Sequence, residues 1–191
     1  MLEILKEDFV LGLVKLYLVN QLTGKRTLLH EFENLYLYSG ADIAARLVGG
    51  QGTYRLATMY MEFENLPVIG PIVPPAYTRA SGIDYYSTLA SPRDFLRVPI
   101  TISPTIITSD AAKYEGNQIT FFAISSGSVG QHALPFSHTV NSAVFGGALV
   151  AAPEPDTQAN DKIWSRTYWA DRYVLKQQNH QIGVQWTLRF Q

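Results

Sequence analysis

No cysteine occurs in the 191 residues, which excludes disulfide cross-links, thiolate chemistry and a secreted disulfide-stapled scaffold. Charge is also scarce: Asp, Glu, Lys and Arg make up 16% of the chain, against about 25% in an average soluble domain. The charges present do not segregate, with nine Lys/Arg against ten Asp/Glu in residues 1–100 and six of each in residues 101–191. A formal net charge of −1 leaves no basic footprint, so no nucleic-acid partner is expected. Long apolar runs are missing too. The longest, Phe9 to Val19, is interrupted by Gly12 and Lys15 and is too short to span a bilayer, so no membrane partner is expected. The opening residues Met1 to Asp8 mix both charge signs where an export signal needs a basic start and a clean apolar run. The expectation is a soluble protein without an export signal.

Hydrophobic residues are plentiful, at 47%. Beside so little charge, they imply either apolar surface covered by another subunit or a large β-core with Ser/Thr/Gln-rich faces. The pattern itself is that of strands. From Ile182 to Gln191 apolar and small or polar residues alternate without a break, placing Ile182, Val184, Trp186, Leu188 and Phe190 on one face. This segment is expected to pair inside a sheet. Val14–Asn20 and Thr27–Glu33 read as a hairpin around Thr23-Gly24. Arg55–Glu64 alternates Ala57, Met59, Met61 and Phe63 against Thr58, Tyr60, Glu62 and Glu64. Further strands are expected at Phe95–Ile102, Gln118–Ser125, Ala143–Ala151 and Lys162–Trp169, the last reaching toward Leu175.

One segment reads as a helix, about residues 40–48. Ser39 stands as N-cap with Asp42 three residues on, Ile43, Ala44 and Leu47 share a face, Arg46 lies in the last turn, and Gly49-Gly50 stops it. Pro67, Pro71, Pro74 and Pro75 forbid regular pairing and favour an extended surface loop over 67–75. These features predict a single all-β domain over residues 13–191, an antiparallel jelly roll or β-sandwich of about eight strands with one short helix. Residues 1–12 form a candidate N-terminal arm.

Catalytic signatures are weak. His30, His132, His138 and His180 are scattered, and the six-residue spacing of His132 and His138 fits no familiar zinc pattern. No clustered His-x-His with a nearby Glu suggests a metal cupin. Glu31/Glu33 and Glu62/Glu64 place paired carboxylates on one strand face, as glycoside hydrolysis requires, but acids two apart on a strand more often form a solvated face. Gly49-Gly-Gln-Gly52 follows the helix and cannot aim a helix N-terminus at phosphate. Trp164, Trp169 and Trp186 raise the possibility of a sugar-stacking face, yet Trp186 falls on an apolar strand face and Trp164 and Trp169 differ by an odd number. No catalytic residue, cofactor site or metal site is therefore expected.

Several strings resemble those of structural proteins in tailed-bacteriophage virions. They are the Thr23-Gly24 hairpin leading to Asn34-Leu35, the Gly40-x-x-x-Ala44-x-x-Leu47 helix, Met59 to Asn65, Asp94 to Pro99, and Gly147 to Ala151 followed by Ser165-Arg-x-Tyr168. The resemblance implies a non-enzymatic capsid decoration or cement protein in the virion, assembled in the host cytoplasm as a homo-oligomer, with a trimer favoured. Its partners would be the major capsid protein or other virion proteins. The alternatives are a tail or fibre module binding host carbohydrate or receptor, and a β-fold enzyme of glycoside-hydrolase type. Candidate partner-binding residues are Leu2, Ile4 and Leu5 of the arm, Pro71, Pro74 and Pro75 of the proline loop, and Tyr77, Tyr85 and Tyr86 after it.

Overall fold

The computed structural model describes residues 10–51, 54–67, 93–100, 112–115, 118–127, 132–135, 140–152, 161–169 and 172–190. Strands β1 (Val10–Asn20) and β2 (Arg26–Glu33) form the expected hairpin. Gly24 supplies the left-handed turn residue at φ 68°, and the Asn20 side chain accepts from the backbone N–H of Leu22 and Thr23. Val10 to Gly12, within the candidate arm, are β1 residues paired with Phe190 to Leu188.

The C-terminal segment is strand β11 (His180–Phe190), and it is central. It pairs along its whole length with β1 on one side and, from Gly183 to Arg189, with β7 (Gln118–Ile124) on the other, so Trp186 lies between Val14 and Phe121. With β6 (Ala112–Glu115) this completes a five-stranded antiparallel sheet in the order β2-β1-β11-β7-β6. Ile182, Val184, Trp186 and Leu188 are all buried, as the alternation predicts.

The second sheet contains β3 (Leu35–Tyr36), β4 (Arg55–Pro67), β5 (Arg93–Pro99), β8 (Val140–Ala152) and β9 (Lys162–Tyr168), in the order β3-β9-β8-β4-β5. A two-residue strand, β10 (Val174–Leu175), takes the place beside β8 that β9 leaves. Thus Lys162 to Leu175 does follow one lane of the sheet, interrupted between Tyr168 and Val174. Hairpins remain within a sheet: β1–β2 and β6–β7 in one, β4–β5 and β8–β9 in the other. Of the two architectures expected, the β-sandwich is the one formed. The eight strands read from alternation are all present, and β3, β6 and β10 are too short to display a period.

Between the sheets, Val14, Leu16, Trp186 and Phe121 face Met59, Met61, Leu149 and Trp169 in one continuous core. Gly147 permits the central pair β4–β8 to close up, because a Cβ there would lie 2.6 Å from the Tyr60 carbonyl oxygen. The odd spacing of Trp164 and Trp169 misleads: both indoles enter this core. A bulge where β9 pairs with Leu149/Val150 shifts the alternation at Trp164, and Trp169 lies just beyond the strand.

Helix α1 (Tyr38–Val48) matches the expected position but not the expected cap. Leu37 is the N-cap residue, without a side-chain bond, while Ser39 lies inside the helix and donates to the Ile163 carbonyl at 2.5 Å. Gly40 and Ile43 form the buried face, with Gly40 against the Trp164 backbone. Leu47, expected on the same face, is exposed instead. Gly49 and Gly50 end the helix as expected, Gly50 at φ 67°.

Trp186→Ala is expected to cost roughly 3–5 kcal/mol in urea unfolding, as a large-to-small change in a packed core, whereas exposed Arg189→Ala should stay within about 0.5 kcal/mol. Deleting residues 182–191 should leave no cooperative transition, since β1 and β7 then lose their shared neighbour.

Candidate functional site

The outer face of the second sheet is dry at its centre. Tyr60, Glu62, Ala148, Ile163 and Arg166 point away from the main core, yet none is more than 1% exposed. Leu35, Leu37 and Phe95 pack with part of this face, the Phe95 ring tilted by 32° with its centre 4.6 Å from that of Tyr60. Burying charge here requires pairing, because an isolated ion in a low-dielectric setting is costly. Two clusters meet that requirement.

In the first, Arg166 of β9 donates to Glu62 of β4 at 3.0 Å, with both side chains fully buried. These strands are not neighbours; β8 runs between them. Contact across it depends on small residues, since Glu62 pairs with Gly146 and Arg166 with Ala148. A Cβ on Gly146 would lie 3.3 Å from the Glu62 carboxylate. The expectation of a solvated Glu62/Glu64 face is therefore corrected: Glu62 is buried and Glu64 is half-buried. Neighbouring charge across two strands, invisible to local spacing, explains the difference.

In the second cluster, Asp161 accepts a bidentate pair from Arg97 (2.7 Å from Nε, 3.0 Å from Nη2) and a 2.5 Å bond from the Tyr60 hydroxyl. Burial, reinforced by the Asp161 carboxylate, holds the Tyr60 phenol far above its ordinary value, and the bond to Asp161 raises Arg97 further. His132, at φ 77°, lies at the same edge, its Nδ1 2.6 Å from the Arg97 carbonyl oxygen. That contact gives His132 a structural role, tying its loop to β5.

A further buried ion, Lys176, donates to the Gln177 carbonyl at 2.8 Å and to the His180 carbonyl, and burial lowers its affinity for its proton. It ties the segment entering β11 to its own turn. Glu31, in contrast, is exposed beside Lys15, and Glu33 is exposed. Among the described residues, no three His, Asp or Glu side chains converge on a position that could hold a metal ion. No described helix is long and apolar enough to cross a membrane.

Among the described residues, an accessible concavity lies elsewhere. A cleft of about 390 Å³ opens between the sheets where Leu18, Leu29 and His30 face Tyr173, Val174 and Leu175. Its lining is mostly apolar, and Tyr173 and Leu175 remain more than one-third exposed at its rim. Such a surface can take apolar side chains; it brings together no acid and base for catalysis. Sequence reading missed it because its walls come from β1, β2 and the β10 segment, some 150 residues apart in the chain. The expected partner-binding residues Leu2, Ile4, Leu5, Pro71, Pro74, Pro75, Tyr77, Tyr85 and Tyr86 lie outside the described residues, as does His138. No protein-family model, curated protein or solved structure matches the chain.

Arg166→Met is expected to lose about 3–5 kcal/mol by leaving Glu62 buried beside an apolar side chain, and the double change Glu62→Met/Arg166→Met should recover most of that loss. A double-mutant cycle in urea checks both. The Tyr60 shift also fixes an alkaline response. The unfolded phenol loses its proton near pH 10 while the folded one keeps it, so stability conferred by Tyr60 is full below about pH 10 and falls as pH rises beyond it. Tyr60→Phe should flatten the decline of the urea midpoint between about pH 9 and 11 relative to wild type.

Proposed function

We propose that this chain is a non-enzymatic structural protein of a tailed-phage virion, a decoration or cement protein that stabilises the shell as an oligomer. The observation that carries the reading is how the double sheet distributes its polar and apolar groups. Its buried ions are committed to one another and to backbone carbonyls, while apolar side chains such as Leu28, Leu175 and Val48 remain on the surface. A protein that bridges shell subunits needs a rigid body and contact area, and no reactive group. The likeness of the Met59–Asn65, Asp94–Pro99 and Gly147–Ala151 strings to phage structural proteins supports the same reading. Its partners on this proposal are the major capsid protein and further copies of itself, within the virion and without nucleic acid or membrane.

The carbohydrate-binding alternative loses its tryptophan platform, because Trp164, Trp169 and Trp186 are all buried. Of the two carboxylate pairs, Glu62/Glu64 does not offer the accessible pair that glycosidase chemistry needs, because Glu62 is fully buried against Arg166, and in the exposed pair Glu31/Glu33 the Glu31 carboxylate is bonded to Lys15.

Purified particles should contain the chain in many regularly placed copies by cryo-electron microscopy. Selective removal should lower the melting temperature of the shell, and light scattering of the isolated chain should report an oligomer, a trimer on this reading. Absence from the particle, or a glycan-cleaving activity lost on Glu62→Gln with folding intact, would overturn it.

A further inference from the structure

The cleft adjoins an open sheet edge. Among the described residues β2 has β1 as its one neighbour, so the outward N–H and C=O groups of Thr27 to Phe32 face away from the sheet. Across the gap the second sheet gives little cover. β10 is two residues long, and β3 starts only beyond the far end of β2. An added strand would bond to the β2 backbone, and its alternate side chains, all directed to the inner face, would enter the cleft over Leu18, Leu29 and Val174.

Charge narrows the occupant. Exposed Lys25 precedes β2 and exposed Arg172 precedes the cleft residue Tyr173, whereas the nearest acid on β2, Glu31, is already bonded to Lys15. An extended segment with apolar residues at alternate positions and acidic neighbours fits both features. Leu2-Glu-Ile4 followed by Glu7 and Asp8 has this pattern, with Leu2 and Ile4 on one face. Reach favours a donor in another copy: Leu18 lies about 26 Å along β1 from Val10 at ~3.3 Å per residue, the full extended length of the eight residues between Leu2 and Val10, which leaves nothing for turning back and crossing β2.

We propose that the β2 edge and its cleft accept residues 2–8 of a second copy of this chain as an added strand, with Leu2 and Ile4 filling the cleft. The inference rests on the assembling-protein reading above and names the contact that assembles it. Each chain gives a segment to one neighbour and receives one from another. Such a head-to-tail contact closes into a ring, a trimer among the options, when its rotation allows.

The absence of cysteine makes a direct test possible. Full-length Ile4→Cys and Leu175→Cys chains are mixed and oxidised, and the cross-linked heterodimer is compared with that from Ile4→Cys mixed with Leu22→Cys, an 84%-exposed position at the β1–β2 turn. At least tenfold more heterodimer from the Leu175 pair is expected, and Leu175→Glu should shift the wild-type oligomer toward monomer in light scattering. Tyr173→Cys, also at the rim, replaces Leu175→Cys if that variant loses its wild-type urea midpoint. Equal cross-linking of both pairs, or an oligomer unaffected by Leu175→Glu, overturns the proposal. Particle residence is measured separately: a shell-bound chain that fails to cross-link rejects only this contact, and a cross-linking chain absent from particles rejects only the virion reading.

Discussion

The pairing of β11 between β1 and β7 is the constraint on which the rest of the structure depends. It joins the N-terminal hairpin to the β6–β7 hairpin, and without it the five-stranded sheet separates into two ribbons. Two-stranded ribbons are marginal in water, whereas a sheet with one apolar face can hold a core. The residues joined are distant: Val10 meets Phe190 and Asn20 meets His180. Pairing over such separations must meet loop-closure entropy before contacts compensate, which places the fold in the slow-folding, non-local class.

A second constraint shapes the six-stranded sheet. Strand β8 is rich in small residues, and these do two jobs on opposite faces. Gly147 lets the Tyr60 backbone approach closely, while Gly146 and Ala148 leave the space in which Glu62 and Arg166 meet above the strand. A larger side chain at Gly146 would crowd that carboxylate, and an unpaired charge in this dry face would be costly. Register and charge pairing thus reinforce one another. The alternative register, slipped by one residue, would turn Glu62 and Arg166 into the apolar core and Met61 out of it.

Much of this architecture was legible in the residues. The eight longer strands, the β1–β2 turn, the helix and its Gly49-Gly50 stop follow from local periodicity and turn chemistry, which act over a few neighbours. Misreadings occurred where a distant group replaced a local one. Ser39 bonds the Ile163 carbonyl instead of capping α1, and Trp164 rejoins the core through a bulge. Glu62, read as solvated from its spacing with Glu64, is buried by an arginine 104 residues away. The cleft beside β2 had no sequence signal, since Leu18, Leu29 and Leu175 are ordinary strand residues.

The sequence by itself determined the all-β class, the strand positions and the inner face of β11, because a period of two is a property of the extended backbone wherever the strand lies. It also determined that thiol chemistry is excluded, which composition alone establishes. Only the tertiary structure decided which strands are neighbours, which charges are buried and where the sandwich is left open. Each of these is a relation between segments brought together by sheet pairing. The ion pair across β8 and the cleft beside β2 exist only once those segments share one sheet or face one another across the core.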